Sequence, residues 1–292
     1  MKGEPGRLHP DRDLFSLRTP HFLIEGRSRA GHETFFRIRD LGIALDIGRG
    51  PDLVLAMQHV FITHAHLDHA AGIAFYAGQR RLQQLDGGTI YVPAEAEEGV
   101  RELLAIQEKL TGAGFAVTVK GVAVGEEVRF SRHHLVRGHA APHRVAARAY
   151  ELIEVRHHLR EEFIGRSGDE LARLRLEGVT LEEEYRRPIL FYTGDTDRGL
   201  LESCAAVFKA DVLMIECSFI TDGHQERAAL YRHIHIDDIA DFADRFENDL
   251  IVLTHFSRRY SHEEIRDGIR KRLPHVLRDR IRLGLPEPWQ RL

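Results

Sequence analysis

The stretch Phe61 to Ala70, "FITHAHLDHA", puts three histidines and an aspartate into six positions directly after an apolar run. A buried strand that ends this way must deliver its imidazoles to something that satisfies them. On an extended backbone His64 and His66 stand two apart, so their rings point the same way. Asp68 and His69 follow where the strand turns into a helix. One short loop then presents two donor sets, His64 with His66 and Asp68 with His69. Imidazole nitrogen and carboxylate oxygen are common zinc donors, and two adjacent sets predict two metal ions.

Two metals need more ligands than one loop provides, so the fold must gather other strand ends around it. Three later segments qualify. "FYTGDTD" offers Asp195, after a glycine that lets the backbone approach closely. "LIVLTHFSRRY" offers His255, and "HAAPHRVAARAYEL" offers His139 and His143 just before a strand. A carboxylate between two cations damps their repulsion, which makes Asp195 the bridging candidate. Any one of these segments alone reads as a turn or an ordinary paired histidine. Together, in a chain with 19 histidines, they supply seven donors of the right type.

The surrounding pattern is α/β. Strands are expected at 21–26, 34–40, 42–48, 59–64 and 89–93, again within about 115–155, and at 188–195, 211–218 and 249–255. A helix is expected after the histidine loop, over "AAGIAFYAG". A second, over 94–110, places Val100, Leu103, Leu104 and Leu110 near one face and ends at "TGAG". A third, over 237–247, shares Ile239, Phe242, Ala243 and Phe246 on a face, with Asp237 or Asp238 as cap. Two groups of strands with helices between predict two sheets packed face to face and covered by helices. The whole of 1–292 reads as one domain. Residues 156–187 are dense in charge and read as two short helices around "GRSGD", an arm projecting from the body or a solvated hairpin.

Composition adds limits. Net charge is −4, so the balance of charges does not announce a nucleic-acid binder. Basic charge is nearly all arginine, whose planar fork suits phosphate. Arg80, Arg81, Arg258, Arg259 and the 156–187 segment are the places to look for it. Cys204 and Cys217 are too few for a disulfide framework and read as buried free thiols in a reducing compartment, the cytoplasm. No apolar run is long enough to span a bilayer, and "MKGEPGRLHPDRD" lacks the apolar core of a signal peptide.

The segments "THAHLDH", "FYTGDT", "IECSF" and "LTHFSRRY" resemble the metallo-β-lactamase superfamily and, within it, the ribonuclease Z family, endonucleases that trim the 3′ trailer from precursor tRNA. The resemblance runs from "GHETFF" (31–36) to "FSRRYSHEEI" (256–265). It implies an αββα four-layer sandwich, two mixed sheets flanked by helices, holding two Zn2+ per chain, with Mn2+ also admitted by such a donor set. By the same resemblance His64, His66 and His143 hold one ion, Asp68, His69 and His255 the other, and Asp195 bridges. His143 is preferred to His139, although Ala146 stands where the family has proline. Asp68 would also orient the attacking hydroxide. Glu216 in "MIECSF" and His233 in "YRHIHIDDIA", with His235 as the alternative, match a pair that protonates the leaving 3′ oxygen. A homodimer is implied, the arm of one subunit serving the other's site, and the arm resembles the shorter plant-like type. Two other readings stand beside this one. A small-molecule metallo-hydrolase acting on a phosphodiester, sulfate ester or lactone would keep the ligands but need neither the arm nor the Glu216–His233 pair. A metal-binding module without catalysis would be expected to have lost ligands.

Overall fold

The computed structural model describes residues 14–85 and 87–292; the segment read for a signal peptide lies outside them. Fourteen strands form two seven-stranded sheets. The first runs in chain order through β1 (Phe15–Arg18), β2 (Leu23–Arg29), β3 (Glu33–Ile38), β4 (Ile43–Ile47), β5 (His59–Phe61), β6 (Thr89–Pro93) and β7 (Thr118–Val122). The second contains β8 (Glu127–Arg129), β9 (His134–Ala140), β10 (Arg148–Leu159), β11 (Glu182–Tyr192), β12 (Val212–Glu216), β13 (Leu250–Thr254) and β14 (Ile281–Leu283), again neighbours in chain order. Each sheet has the same plan. Its first four strands are antiparallel, as short turns allow, and its last four are parallel, joined by crossovers that carry the helices.

Three apolar layers follow from that plan. Between the sheets lie Phe36, Ile38, Phe61 and Tyr91 from the first and Tyr150, Leu152, Tyr192, Met214 and Val252 from the second. Phe61 stacks on Tyr91 at 4.4 Å and meets Tyr150 edge-on at 5.5 Å. Outside the first sheet, Ile73, Tyr76 and Ala77 of helix Ile73–Leu82 and Val100 and Leu104 of helix Glu97–Thr111 cover Ala44, Val60 and Ile90. Outside the second, Ile239, Ile265 and Ile269 cover Leu213, Ile215, Ile251 and Leu253. The result is the αββα sandwich expected from the resemblance.

Several local expectations are corrected. The 156–187 segment is not two helices. β10 and β11 pair out to Leu159 and Glu182, and the tip carries a 3-10 turn, Glu161–Phe163, and one helix, Gly168–Leu176. Solvent on both faces removes the apolar alternation that would have marked these strands. The helix begins at a capping box between Ser167 and Glu170. In helix Glu97–Thr111 only Val100 and Leu104 are buried, while Leu103 and Leu110 are exposed. The 237–247 helix is Ile236–Asp241 followed by a 3-10 turn. Its N-cap is His235, which accepts from the Asp237 amide while Asp238 accepts from the His235 amide. The helix expected after the histidine loop is broken at Gly72, whose Cα lies against the Gly50 backbone so closely that a side chain would collide with it. Arg80 is buried, donating to the carbonyls of Leu55 (2.8 Å) and Met57 (3.2 Å), and is no surface contact for RNA. Cys217 is buried, but Cys204 is partly exposed.

Candidate metal centre

The parallel halves of the two sheets point their C-terminal ends into one cleft, where loops from both converge. Asp46 sits in β4, His64 just beyond β5, Asp195 just beyond β11, Glu216 at the end of β12 and His255 directly after β13. His143 lies between β9 and β10, and His66, Asp68 and His69 occupy the entry and first turn of helix Leu67–Ala70. Gly194, at φ +57°, brings the chain so close to Thr63 that a Cβ would lie 2.6 Å from the Thr63 side chain. That approach sets Asp195 beside His64.

The seven predicted donors come together. His64 Nε2 lies 3.0 Å from His66 Nδ1, which lies 3.3 Å from His143 Nε2. His69 Nε2 and His255 Nε2 are 3.4 Å apart and stand 3.7 and 3.6 Å from Asp68 Oδ2. Asp195 lies between the groups, Oδ2 at 3.8 Å from His64 Nε2 and Oδ1 at 3.3 Å from both His69 and His255. His139 is elsewhere, bonded to Glu151.

The outer nitrogens of four imidazoles are fixed by hydrogen bonds. His69 Nδ1 donates to Asp46 Oδ2 at 2.8 Å. His64 Nδ1 meets Thr63 Oγ1 at 3.0 Å, and that hydroxyl donates to Asp46. His143 Nδ1 donates to the Arg232 carbonyl at 3.1 Å. His255 Nδ1 meets Ser218 Oγ at 2.9 Å, and Ser218 donates to Glu216 at 2.6 Å. Each ring then turns Nε2 inward, as a metal ligand anchored from behind does. Asp195 Oδ1 is sealed from solvent without a properly directed hydrogen bond. Ring nitrogens and carboxylate oxygens gathered in groups within 4.8 Å of one another fit divalent cations and little else. Glu216 differs: the Thr196 amide, Ser218 and His233 occupy its oxygens.

The charges favour bare nitrogens on His64, His66 and His143, and His69 is the exception. Burial holds the His64 imidazole well below its usual pKa, and burial also lowers His66 and His143. Burial opposes charge on His69 too, but Asp195 and Asp46 outweigh it and hold that ring well above its usual value. Burial would raise Asp195, yet His255 and His69 keep it well below the usual carboxylate range. His233 donates Nδ1 to Glu216 Oε1 at 2.7 Å, and its ring lies 5.4 Å from those of both His143 and His255. Against its burial, Glu216 pushes it up to about 9. His235, the alternative, is turned away and bonds the Thr221 carbonyl at 3.0 Å.

Known proteins resemble this chain. Residues 49–256, a span that holds all seven donors, match the model of the Beta-lactamase superfamily domain. The chain is 36% identical over 269 residues to tRNase Z TRZ1 of Arabidopsis thaliana, covering 91% of this chain and 96% of the relative. It belongs to the tRNase Z family of the metallo-β-lactamase superfamily. The chloroplastic tRNase Z TRZ2 of the same plant is 32% identical over 86% of this chain and 72% of its own. The crystal structure of human tRNase Z, short form, superposes with a TM-score of 0.57 at 20% identity, over 85% of this chain and 93% of that one, a likeness of fold.

Reading the sequence for ligands passes over Asp46, the residue behind two of them. It accepts from the Thr63 amide at 2.7 Å and the Tyr192 hydroxyl at 2.7 Å as well as from His69. Its one sequence signal is a carboxylate inside the otherwise apolar "GIALDIG". Asp46 (φ +55°), His255 (φ +59°) and Arg232 (φ +56°) are three of the four non-glycine residues with positive φ among the described residues. Each such residue costs roughly 1–3 kcal/mol, and such strain gathers at functional sites. Asp46→Asn, which cannot serve His69, Thr63 and Tyr192 at once, is expected to weaken metal affinity by about 10–100-fold. A chelator competition would measure it, and unchanged affinity would remove Asp46 from the site.

Proposed function

We propose that the chain is a metal-dependent endoribonuclease that cleaves the 3′ trailer from precursor tRNA. Two Zn2+ per chain, or Mn2+ in their place, would be held by His64, His66 and His143 on one side, Asp68, His69 and His255 on the other, with Asp195 bridging. When bound, such a pair supplies water of near-neutral pKa and positive charge for the oxygens of an in-line displacement. Asp68, fixed by the Gly31 amide at 2.8 Å, orients the attacking water. His233, oriented by Glu216, holds a proton for the departing 3′ oxygen. The observation that carries the reading is this pair set against both donor groups, since an RNA leaving group is a poor one and needs a proton.

A recess beside His233 favours a polynucleotide over a small ester. Arg227, Arg259 and Tyr231 line it, cations for phosphate and a ring for a base. The test is incubation of purified protein and zinc with a precursor tRNA and, separately, bis-p-nitrophenyl phosphate. Cleavage at the trailer junction supports the proposal. Ester turnover alone would point to a small-molecule hydrolase, and turnover of neither to a non-catalytic module.

The chain acts in this reading as one domain, with 156–187 as an arm that contacts tRNA. The arm carries seven basic and eight acidic residues, and pairs such as Arg175–Glu182 (2.8 Å) neutralise much of it. It therefore adds binding by reach and shape more than by net charge. Replacing 160–181 with a short turn is expected to raise KM for precursor tRNA about tenfold, worth about 1.4 kcal/mol, and to leave ester hydrolysis unchanged. Equal KM values would deny the arm a role.

A homodimer is part of the proposal. Helices Ile73–Leu82 and Glu97–Thr111 expose Phe75, Leu82, Leu103, Ile106 and Leu110 side by side, an apolar face that a second copy would cover. Light scattering should show Leu82→Glu with Ile106→Glu as a monomer; an unchanged mass would move the interface elsewhere. Among the described residues no helix is long and apolar enough to cross a membrane. Two unpaired cysteines support a cytoplasmic enzyme, which cell fractionation would check.

A further inference from the structure

Outside the metal cleft, the chain assembles a second group of reactive side chains. His139 on β9 and Glu151 on β10 stand on the outer face of adjoining antiparallel strands, where helix Gly199–Ser203 ends at Cys204. Cys204 Sγ lies 3.6 Å from His139 Nδ1, and His139 Nε2 lies 2.8 Å from Glu151 Oε2. The His139 ring rests on Phe191 at 5.2 Å, which fixes its plane. The thiol and the carboxylate are on opposite ring nitrogens, so the three cannot chelate one ion. They form a line in which the carboxylate steadies an imidazole that takes the thiol's proton, the arrangement that activates a cysteine nucleophile.

We propose that Cys204, His139 and Glu151 form a reactive-thiol site, in which Cys204 is a thiolate paired with the His139 imidazolium and is modified by small hydroperoxides. The surroundings favour the ion pair. Burial alone would raise the Cys204 thiol, but His139 outweighs it, helped by the amides of Val207 and Ala206, and the thiol falls below its usual value. Burial alone would lower His139, but Cys204 and Glu151 push it up to about 9. The other charges nearby are already paired. Arg137 lies 3.3 Å from Glu151 and also bonds Glu127, and Glu202 is paired with Arg198 at 3.0 Å. Cys204 is partly exposed, so a small reagent can reach it, whereas Cys217 is fully buried and burial raises its thiol.

The step balances with hydrogen peroxide as oxidant. The thiolate attacks one peroxide oxygen, an S–O bond forms and the O–O bond breaks. Sulfur is oxidised by two electrons, and the departing hydroxide takes the proton from His139 and leaves as water. Cys204 becomes a sulfenic acid.

The test uses the full-length, metal-loaded protein, with Cys217 as an internal control. Iodoacetamide labelling is followed peptide by peptide against pH, and peroxide-treated protein is trapped with dimedone. Cys204 is expected to label at pH 6.5 at least about tenfold faster than in His139→Asn, because a free thiol near pKa ~8.5 is almost wholly protonated there. Dimedone should mark Cys204 and not Cys217. Glu151→Gln, which keeps the imidazole but removes its anionic support, should slow labelling by a smaller factor and serves if His139→Asn does not fold. Labelling of Cys204 with the pH profile of an ordinary thiol, or at a rate indifferent to both substitutions, would overturn the site.

Discussion

Asp195→Ala is expected to strip the cleft of metal and to lower precursor-tRNA cleavage by at least about 10⁴-fold, since water without a cation keeps a pKa near ~15.7 rather than ~7. The reason is its position. Oδ2 faces His64 at 3.8 Å while Oδ1 faces His69 and His255 at 3.3 Å, so one side chain serves both donor groups. It is also the anion that lets three buried imidazoles stand together. Without it, two divalent cations in neighbouring sites would repel with nothing between them. The fold should survive. His69 keeps Asp46, His255 keeps Ser218 and His64 keeps Thr63, all anchored from behind. Elemental analysis of the variant, with circular dichroism to show that it is folded, decides the matter. A full complement of metal and near-normal cleavage would mean that Asp195 does not bridge.

How far the centre could be read from the chain depends on the range of the contacts involved. His64, His66, Asp68 and His69 announce themselves because six consecutive positions carry the signal. Asp195 and His255 are legible as polar residues at strand ends, which the structure brings together because parallel strands point the same way, and His143 as a histidine just before a strand, in the connection between antiparallel β9 and β10. Asp46 gives little away. Its partners are Thr63, 17 residues on, and Tyr192, 146 residues on, and no local pattern encodes a contact of that range. Nor does the sequence show which nitrogen of a ring faces inward; His66 presents Nδ1 where His64 presents Nε2. The two-sheet architecture was legible from the alternation of strands and helices. The long ribbon of β10 and β11 was not, because "RHHL" opposite "EEEY" offers charge on both faces, with cross-strand side-chain contacts such as His157–Glu184 (3.8 Å) in place of an apolar face. Cys204 shows the same limit. Its apolar neighbours predicted burial, but its place at the end of a short helix leaves it partly open beside His139.

His233→Ala is expected to lower kcat for precursor tRNA by about 10²–10⁴-fold, the usual worth of a positioned general acid, with KM and bound metal little changed. His233 lies ring to ring 5.4 Å from His143 and from His255, with a nitrogen within 4.8 Å of donor atoms on Asp195 and His255, and its one strong bond is to Glu216. Truncating it therefore leaves the ligand cage and its outer anchors in place. Glu216→Gln would be a less selective probe, because Glu216 also holds Ser218, which fixes His255. The decisive comparison is between leaving groups. A ribose 3′ oxygen is a strong base and departs only as it is protonated, whereas nitrophenolate leaves as a stable anion. His233→Ala should then cripple RNA cleavage while sparing hydrolysis of bis-p-nitrophenyl phosphate, and added imidazole should restore part of the RNA rate. A residue that merely props up the metal site would lose both activities together. A parallel fall of the two rates, with no rescue by imidazole, would take the proton-donor role away from His233.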